Sequence, residues 1–387
     1  MMSLFEPNSD AFRDDPYATY RRLRDEAPVY HDEQSGLWLL TRYHDIERAL
    51  ADYATFSSSR GNAIVDSPQR VGKTLGSMDP PRHDELRRVI QRALAPSRVQ
   101  SMLGVVKELS RRRMGELQER KSFDFVEDFA RPMIFSALGI MLGLDETTAV
   151  EAEHLARNLF EGHGGPMGNA LPAEDFAEIW KFLGGELAKR TASPAEDLFS
   201  VLLAAKAEGA NLSDEEILGN MSTVLLAGNA SLGHFFPNVI HALWQHPDQR
   251  RAVMQDPELL PAIIEETVRW DTSTQSFARQ VMTDVEIDGV SIPAGSRVVL
   301  FYGSANRDER VVESPDTFDI GRKRIRHFGF GLGPHICAGS TMARMVCRTI
   351  LEDLLPFLGD YELDIANSRR AHHVMVRGFK SLPLVRQ

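Results

Sequence analysis

The sequence predicts a mainly α-helical fold with a small β region, a single domain over residues 1–387. Three observations carry that expectation. Apolar residues recur at helical spacing along most of the chain. One helical pattern opening at Ser213 runs for roughly 33 residues, about 50 Å at the rise of an α-helix, long enough to cross a whole domain. The strand-like runs are short, and most fall between residues 285 and 301. No internal repeat and no linker of flexible composition divides the chain, so its irregular stretches punctuate one helical body.

Asp15-Pro16-Tyr17 opens a helix that reaches Asp25 and is stopped by Pro28. Trp38 to Thr41 reads as a short strand, and a helix follows from about His44 to Asp52. Residues 60–81 mix Gly, Ser and Pro with isolated apolar residues, a long irregular connection of the kind that usually serves function. Pro132 to Leu144 is the longest apolar run; too short to span a bilayer, it reads as a core helix. A second breaker-rich stretch covers 161–173. Ser213-Asp214-Glu215-Glu216 has the pattern of a capping box for the long helix. The middle of that helix, Val224 to Ser231, is apolar or small and is expected to be buried all round, while Pro237 is expected to disturb it. Another helix follows Pro261, then strands at 285–287, 290–292 and 298–301 with Asp288-Gly289 and Pro293-Ala294-Gly295 as turns. Residues 308–336 are irregular, and helical spacing resumes after Cys337.

Composition narrows the function. The chain is 43% hydrophobic and 26% charged, which excludes disordered and fibrous classes. A net charge of −11 argues against general phosphate attraction to nucleic acid. The N-terminus turns polar at once, so neither an export signal nor a membrane partner is expected, and the protein is placed in the cytoplasm with its thiols reduced. Two cysteines, Cys337 and Cys347, cannot build a disulfide framework or a four-cysteine zinc site. They leave room for one special thiolate.

That thiolate is expected at Cys337, within Phe330-Gly331-Leu332-Gly333-Pro334-His335-Ile336-Cys337-Ala338-Gly339. The glycines permit a tight loop, and the cysteine falls where a helix is expected to start, so unpaired N–H groups would favour its ionised form. Such a residue is a candidate nucleophile or a single metal ligand. Cys347, inside the following helix, reads as a structural core thiol.

These ten residues resemble the heme-binding loop of the cytochrome P450 family of heme-thiolate monooxygenases, in the form found in soluble bacterial members. Other segments agree in order: Glu266-Thr267-Val268-Arg269 resembles the family's ExxR motif, His83 and Arg87 its bacterial pair for the heme propionates, and Ala305-Asn306-Arg307-Asp308 with Phe318-Asp319 the stretch before the heme loop. The resemblance spans 15–383. It implies heme b lying between the long helix and the helix after the cysteine loop, with Cys337 as the axial iron ligand. Phe330 would shield the sulfur and the N–H groups near Gly339 would donate to it. His83, Arg87, Arg279 and His335 would hold the propionates. Glu266 and Arg269, with Arg322, would form a structural network. The pocket would draw on the 60–73 loop, the 159–172 loop, Ala227 and Ala230, with Thr274-Gln275 and Val374-Met375 as walls. Thr274-Gln275-Ser276-Phe277 loosely resembles members acting on aromatic acids.

The sequence departs from the family at its oxygen-activation motif, an Ala-Gly-x-acid-Thr pattern. Here it reads Ala227-Gly228-Asn229-Ala230-Ser231, with Ala230 in the place of the acid and Ser231 in that of Thr. Ser231 keeps a hydroxyl, unless it bonds back to the Ala227 carbonyl. Asn229 can hold water but cannot shuttle protons as a carboxylate does. Three readings stay open. Protons arrive by water through Ser231 or by a polar group of the substrate; or the enzyme serves another oxidative outcome, aryl coupling or peroxide-driven turnover; or the protein binds heme without catalysis. The resemblance implies insertion of one oxygen atom from O2 into a small organic substrate, with electrons from NAD(P)H. They would arrive through ferredoxin reductase and a ferredoxin, since only about fifty residues follow Cys337. A basic run, Arg322-Lys323-Arg324-Ile325-Arg326, joined by Arg344 and Arg348, is the expected ferredoxin footprint.

Overall fold

The computed structural model describes residues 4–161, 173–323, 326–371 and 373–387. Its axis is the helix Asp214–Gln245, 32 residues long. The expected capping box forms there: Ser213 Oγ accepts from the Glu216 amide at 3.1 Å, and Glu216 Oε2 accepts from the Ser213 amide at 2.9 Å. Arg82 donates to the same Glu216 carboxylate, tying the start of the Arg82–Ala93 helix to this cap. Contrary to expectation the helix continues through Pro237. Pro237 is buried, and the neighbouring Asn238 donates from Nδ2 to Asp271 O (2.9 Å) and Arg377 O (3.1 Å), so tertiary bonds hold the segment where one helical bond is missing.

Helices stack around this axis. Leu260–Trp270 and Arg131–Met141 pack directly on it, and Ser340–Phe357 packs along Pro96–Leu117. One large core joins them, and Ile134, Leu225, Phe236, Ile263 and Ile350 all belong to it. The apolar Pro132–Leu144 run therefore serves packing, as expected. Among the described residues no single helix is long and apolar enough to cross a membrane.

The β region is a five-stranded sheet in the order Val29–Asp32, Leu37–Leu40, Arg297–Phe301, Ser276–Val281, Phe56–Ser57. Leu37–Leu40 and Arg297–Phe301 run parallel, pairing Leu39 with Val299; the other neighbours are antiparallel. A three-stranded sheet joins Ser122–Asp124, Pro383–Arg386 and Tyr361–Leu363. The expected hairpin of Val285–Ile287 with Val290–Ile292 turns at Asp288 (φ 52°) and Gly289 (φ 75°), the left-handed pair that suits a tight two-residue hairpin. Ser276–Val281 escapes a sequence reading because Arg279 and Gln280 interrupt its apolar alternation. Both faces are nevertheless covered, with Ala278 and Val281 fully buried.

Candidate active site

The cysteine loop is held by backbone geometry. Asn306 Oδ1 accepts from the Phe328 amide at 2.7 Å, Gly331 N–H returns to Phe328 O and Cys337 N–H to Phe330 O, each at 2.7 Å. Gly331 and Gly333 both adopt left-handed φ, 71° and 67°. Gly333 also lies against the chain at Leu50, whose carbonyl oxygen would stand 2.6 Å from an added Cβ. The helix begins at Ser340 with Gly339 as its cap, so Cys337 sits two residues ahead of the cap and not on the helix start expected for it. What acts on the sulfur is the Gly339 amide, whose pull favours the thiolate.

Cys337 is accessible yet crowded by protein. Burial pushes its thiol pKa up, against the pull of the Gly339 amide and the charges of Arg87 and Arg344. A sulfur that is both surrounded and reachable faces a gap inside the fold. Cys347 is buried, and its thiol is pushed far up with only Arg344 opposing, as suits a core residue. Phe330 is covered by the Arg344 guanidinium, 4.3 Å from the ring centroid.

The central helix also opens onto a gap. Ala227 is exposed between the buried Leu226 and the half-buried Gly228, so the segment is not buried all round. Ala227, Ala230 and Ser231 share one helix face by their spacing of three and four. Ser231 Oγ donates to Ala227 O at 2.8 Å, the back-bond the sequence left open. Asn229 Oδ1 is buried without a partner, and Ala230 brings no polar group.

A third cluster gathers donors. The His83 and His335 rings lie 4.5 Å apart, and Nε2 of each is buried without a hydrogen-bond partner. Burial lowers the His335 pKa; the nearby charges of Arg279 and His83 add to this, while Asp79 opposes it. Arg279 is buried on its strand, donating to Ala278 O. Arg87 donates to Pro334 O (2.9 Å) and Ile336 O (2.7 Å), which brings it beside Cys337. Burial lowers the Arg87 pKa, and the Cys337 sulfur opposes that. Two orphaned imidazole nitrogens with two guanidiniums nearby form a donor set waiting for acceptors. The carboxylates of heme b fit that chemistry, and Cys337 fits its iron.

Glu266 and Arg269 form the expected network. Both are fully buried and paired at 2.7 Å; Arg322 Nε reaches Glu266 Oε1 at 3.0 Å, and the Asp319 amide donates to the same oxygen. This corrects the basic footprint. Arg322 also donates to the carbonyls of Glu313, Ser314 and Thr317, so its charge is spent inward. Arg344 is paired with Glu265, and Arg348 with Glu258 and Glu352. Lys323 and Arg326 are exposed, while Arg324 lies outside the described residues.

The pocket walls need correcting too. Gln275 is buried among Tyr17, Tyr20 and the Thr272 carbonyl, and Val374 packs in the cluster with Phe301. Both side chains are buried by protein, while Thr274 and Met375 are half-exposed. Of the 159–172 loop, 162–172 lie outside the described residues. Two residues of the site went unread in the sequence. Asp79 accepts from the Ser58 amide and lies 3.7 Å from His335. His234 lies on the open face of the central helix, three residues after Ser231 and findable by that spacing.

Comparison with known proteins agrees with this geometry. The family model for cytochrome P450 matches residues 181–358. The chain is 34% identical to cytochrome P450 123 of Mycobacterium tuberculosis over 98% of this chain and 96% of that one. It is also 34% identical to linalool 8-monooxygenase of Pseudomonas putida, over 96% and 95%. A crystallised cytochrome P450 of Bacillus megaterium in complex with testosterone superposes with a TM-score of 0.88 at 26% identity, over 98% of this chain and 100% of that one. With that likeness running along nearly its whole length, the chain belongs to the cytochrome P450 family and is a heme b monooxygenase of the bacterial type.

Proposed function

We propose that residues 1–387 work as a single heme domain in the cytoplasm. It inserts one oxygen atom from O2 into a small organic substrate, with electrons passing from NAD(P)H through ferredoxin reductase and ferredoxin. The observation that carries this reading is the accessible Cys337 sulfur beside the Gly339 amide, in a loop that Arg87 ties to the His83–His335 pair. Heme supplies the reductive activation of dioxygen. The residues of this chain hold and shape it: Cys337 is its iron ligand, and the Gly339 N–H tempers the sulfur's basicity. His83, Arg87, Arg279 and His335 anchor the propionates, and Phe330 with Arg344 screens the thiolate side.

Where the central helix opens, Ala227 and Ala230 would leave space for substrate, and Ser231 with Asn229 would order water. Linalool and steroid monooxygenases among the relatives support an apolar substrate of modest size. Lys323 and Arg326 remain as exposed basic groups for an acidic ferredoxin. The test is turnover of purified holoenzyme with a surrogate ferredoxin and reductase, on compounds first selected by their spectral shift of the ferric protein. Product carrying one atom from labelled O2 supports the reading. Full turnover with hydrogen peroxide alone, and none with reductant, favours the peroxide-driven reading instead.

A further inference from the structure

His234 lies three residues beyond Ser231, on the face of the central helix that carries Ala227 and Ala230. Its Nδ1 is buried with no hydrogen-bond partner, and the ring sits where Gly378 leaves room: an added Cβ at 378 would stand 2.4 Å from Nδ1. The residue is nonetheless partly accessible, and Nε2 is not among its buried partnerless atoms, so Nε2 is the nitrogen left to meet water.

Two groups from other parts of the chain act on it. Arg131, at the head of its helix and paired with Glu127 at 2.9 Å, acts on it by its charge. His373, whose Nδ1 accepts from the Met375 amide and which therefore carries its proton on Nε2, is the second titratable group acting on it. Burial first, then the charge of Arg131, lower the His234 pKa to about 4, so the ring is neutral at physiological pH.

We propose that His234 is the proton-relay residue of this enzyme, filling with Ser231 the role of the carboxylate that position 230 lacks. The proposal rests on the monooxygenase reading above. That reaction breaks one C–H bond, forms C–O–H, and releases the second oxygen atom as water. It takes two electrons from NAD(P)H and two protons, and because the electrons arrive separately the protons must come from solvent. Ser231 commits its hydrogen to Ala227 O, so what it offers is lone pairs that order a water. With Nδ1 sealed, the imidazole takes a proton from an ordered water at Nε2 and returns it from the same nitrogen, and its low basicity keeps that charge brief.

The test uses holoenzyme carrying His234→Leu, His234→Gln, or the pair Ala230→Asp with His234→Leu. Both single variants should keep their heme and substrate affinity while product per NAD(P)H falls about tenfold and peroxide rises. The added acid in the pair should recover most of the coupling, which no structural role of His234 would allow. Independently of turnover, the 15N signals of His234 in the diamagnetic ferrous carbon monoxide complex should report a neutral ring down to about pH 5. Unchanged coupling in both single variants overturns the relay. So does weakened substrate binding with coupling intact, which would make His234 a substrate anchor, or a ring charged at pH 7. A wild type that makes no product with reductant but turns over fully with peroxide overturns the underlying reading, and is distinguished by being seen without any mutation.

Discussion

Arg322 Nε donates to Glu266 Oε1 at 3.0 Å, so the first charge of the basic run that precedes the cysteine loop belongs to the interior and not to the surface. Its neighbour Lys323 is exposed. The two residues should therefore fail differently. Arg322→Ala strips Glu266 of one partner and removes the donor to the Glu313 carbonyl, while Ser314 O keeps the Thr317 amide and Thr317 O keeps Arg269. Breaking a buried ion pair costs about 3–5 kcal/mol, and the low end applies because Arg269 still holds the carboxylate. Low heme content and a lowered melting temperature are expected. Reversing Lys323 and Arg326 to Glu should leave both untouched and slow ferredoxin-driven turnover at low salt, with the difference shrinking as salt rises. Equal rates for this double variant and wild type at low ionic strength would remove the surface from consideration.

The two cysteines make a second contrast. Cys337→His should abolish the thiolate-type absorption band of the reduced, CO-bound protein, because imidazole replaces sulfur on the iron. Cys347→Ser should keep the band and lose stability, since the hydroxyl enters a buried position of the large apolar core. A difference spectrum after dithionite and carbon monoxide decides it; the opposite pattern would move the ligand assignment to Cys347.

Glu265 gives the fold a pH dependence. Burial alone would raise its pKa, but bonds from Arg344 (2.5 and 2.9 Å) and His327 (3.0 Å) prevail and hold it at about 2, below the ordinary 4.5. A folded pKa below the unfolded one means stability that is fully present above about pH 4.5 and lost as pH falls toward 2. The group is partly exposed, so screening limits its worth to about 1 kcal/mol. Glu265→Gln should lower the melting temperature at pH 7 and converge with wild type in acid. Parallel melting curves from pH 7 to pH 3 would contradict the assignment.

The sequence exposed those parts of the protein in which local chemistry and tertiary position coincide. The Ser213–Glu216 cap, the Asp288-Gly289 turn and the Gly331–Gly333 loop all depend on backbone demands that only certain residue types meet. Other features depend on what lies across space. Gln275 has the composition of a pocket wall, and only the approach of Tyr17 and Tyr20 from the N-terminal helix turns it inward. Arg322 belongs by composition to a basic run, and only the family resemblance tied it to Glu266, because no spacing rule connects the two. The relation of Cys337 to Arg87 spans 250 residues and became legible through family resemblance, because no spacing rule connects them.

Ser231 and Ala230 carry the last prediction. Ser231→Ala removes the lone pairs that order water beside Ala227, and also a back-bonded hydroxyl that gives the helix little; alanine has the higher helix propensity. Stability should hold or rise slightly while coupling falls, with reducing equivalents diverted to hydrogen peroxide, so the loss cannot be assigned to a damaged fold. Ala230→Glu should act in the opposite direction, raising product per NAD(P)H by restoring an acid on the open face. The half-buried position 230 must hydrate that carboxylate, so the gain should appear with small substrates and vanish with bulky ones. If a polar group of the substrate brings the proton instead, Ser231→Ala will be silent with that substrate and uncoupled with analogues lacking the group. Oxygen uptake, peroxide and product measured together separate these outcomes. If all substrates stay fully coupled in Ser231→Ala, the hydroxyl has no part in proton delivery.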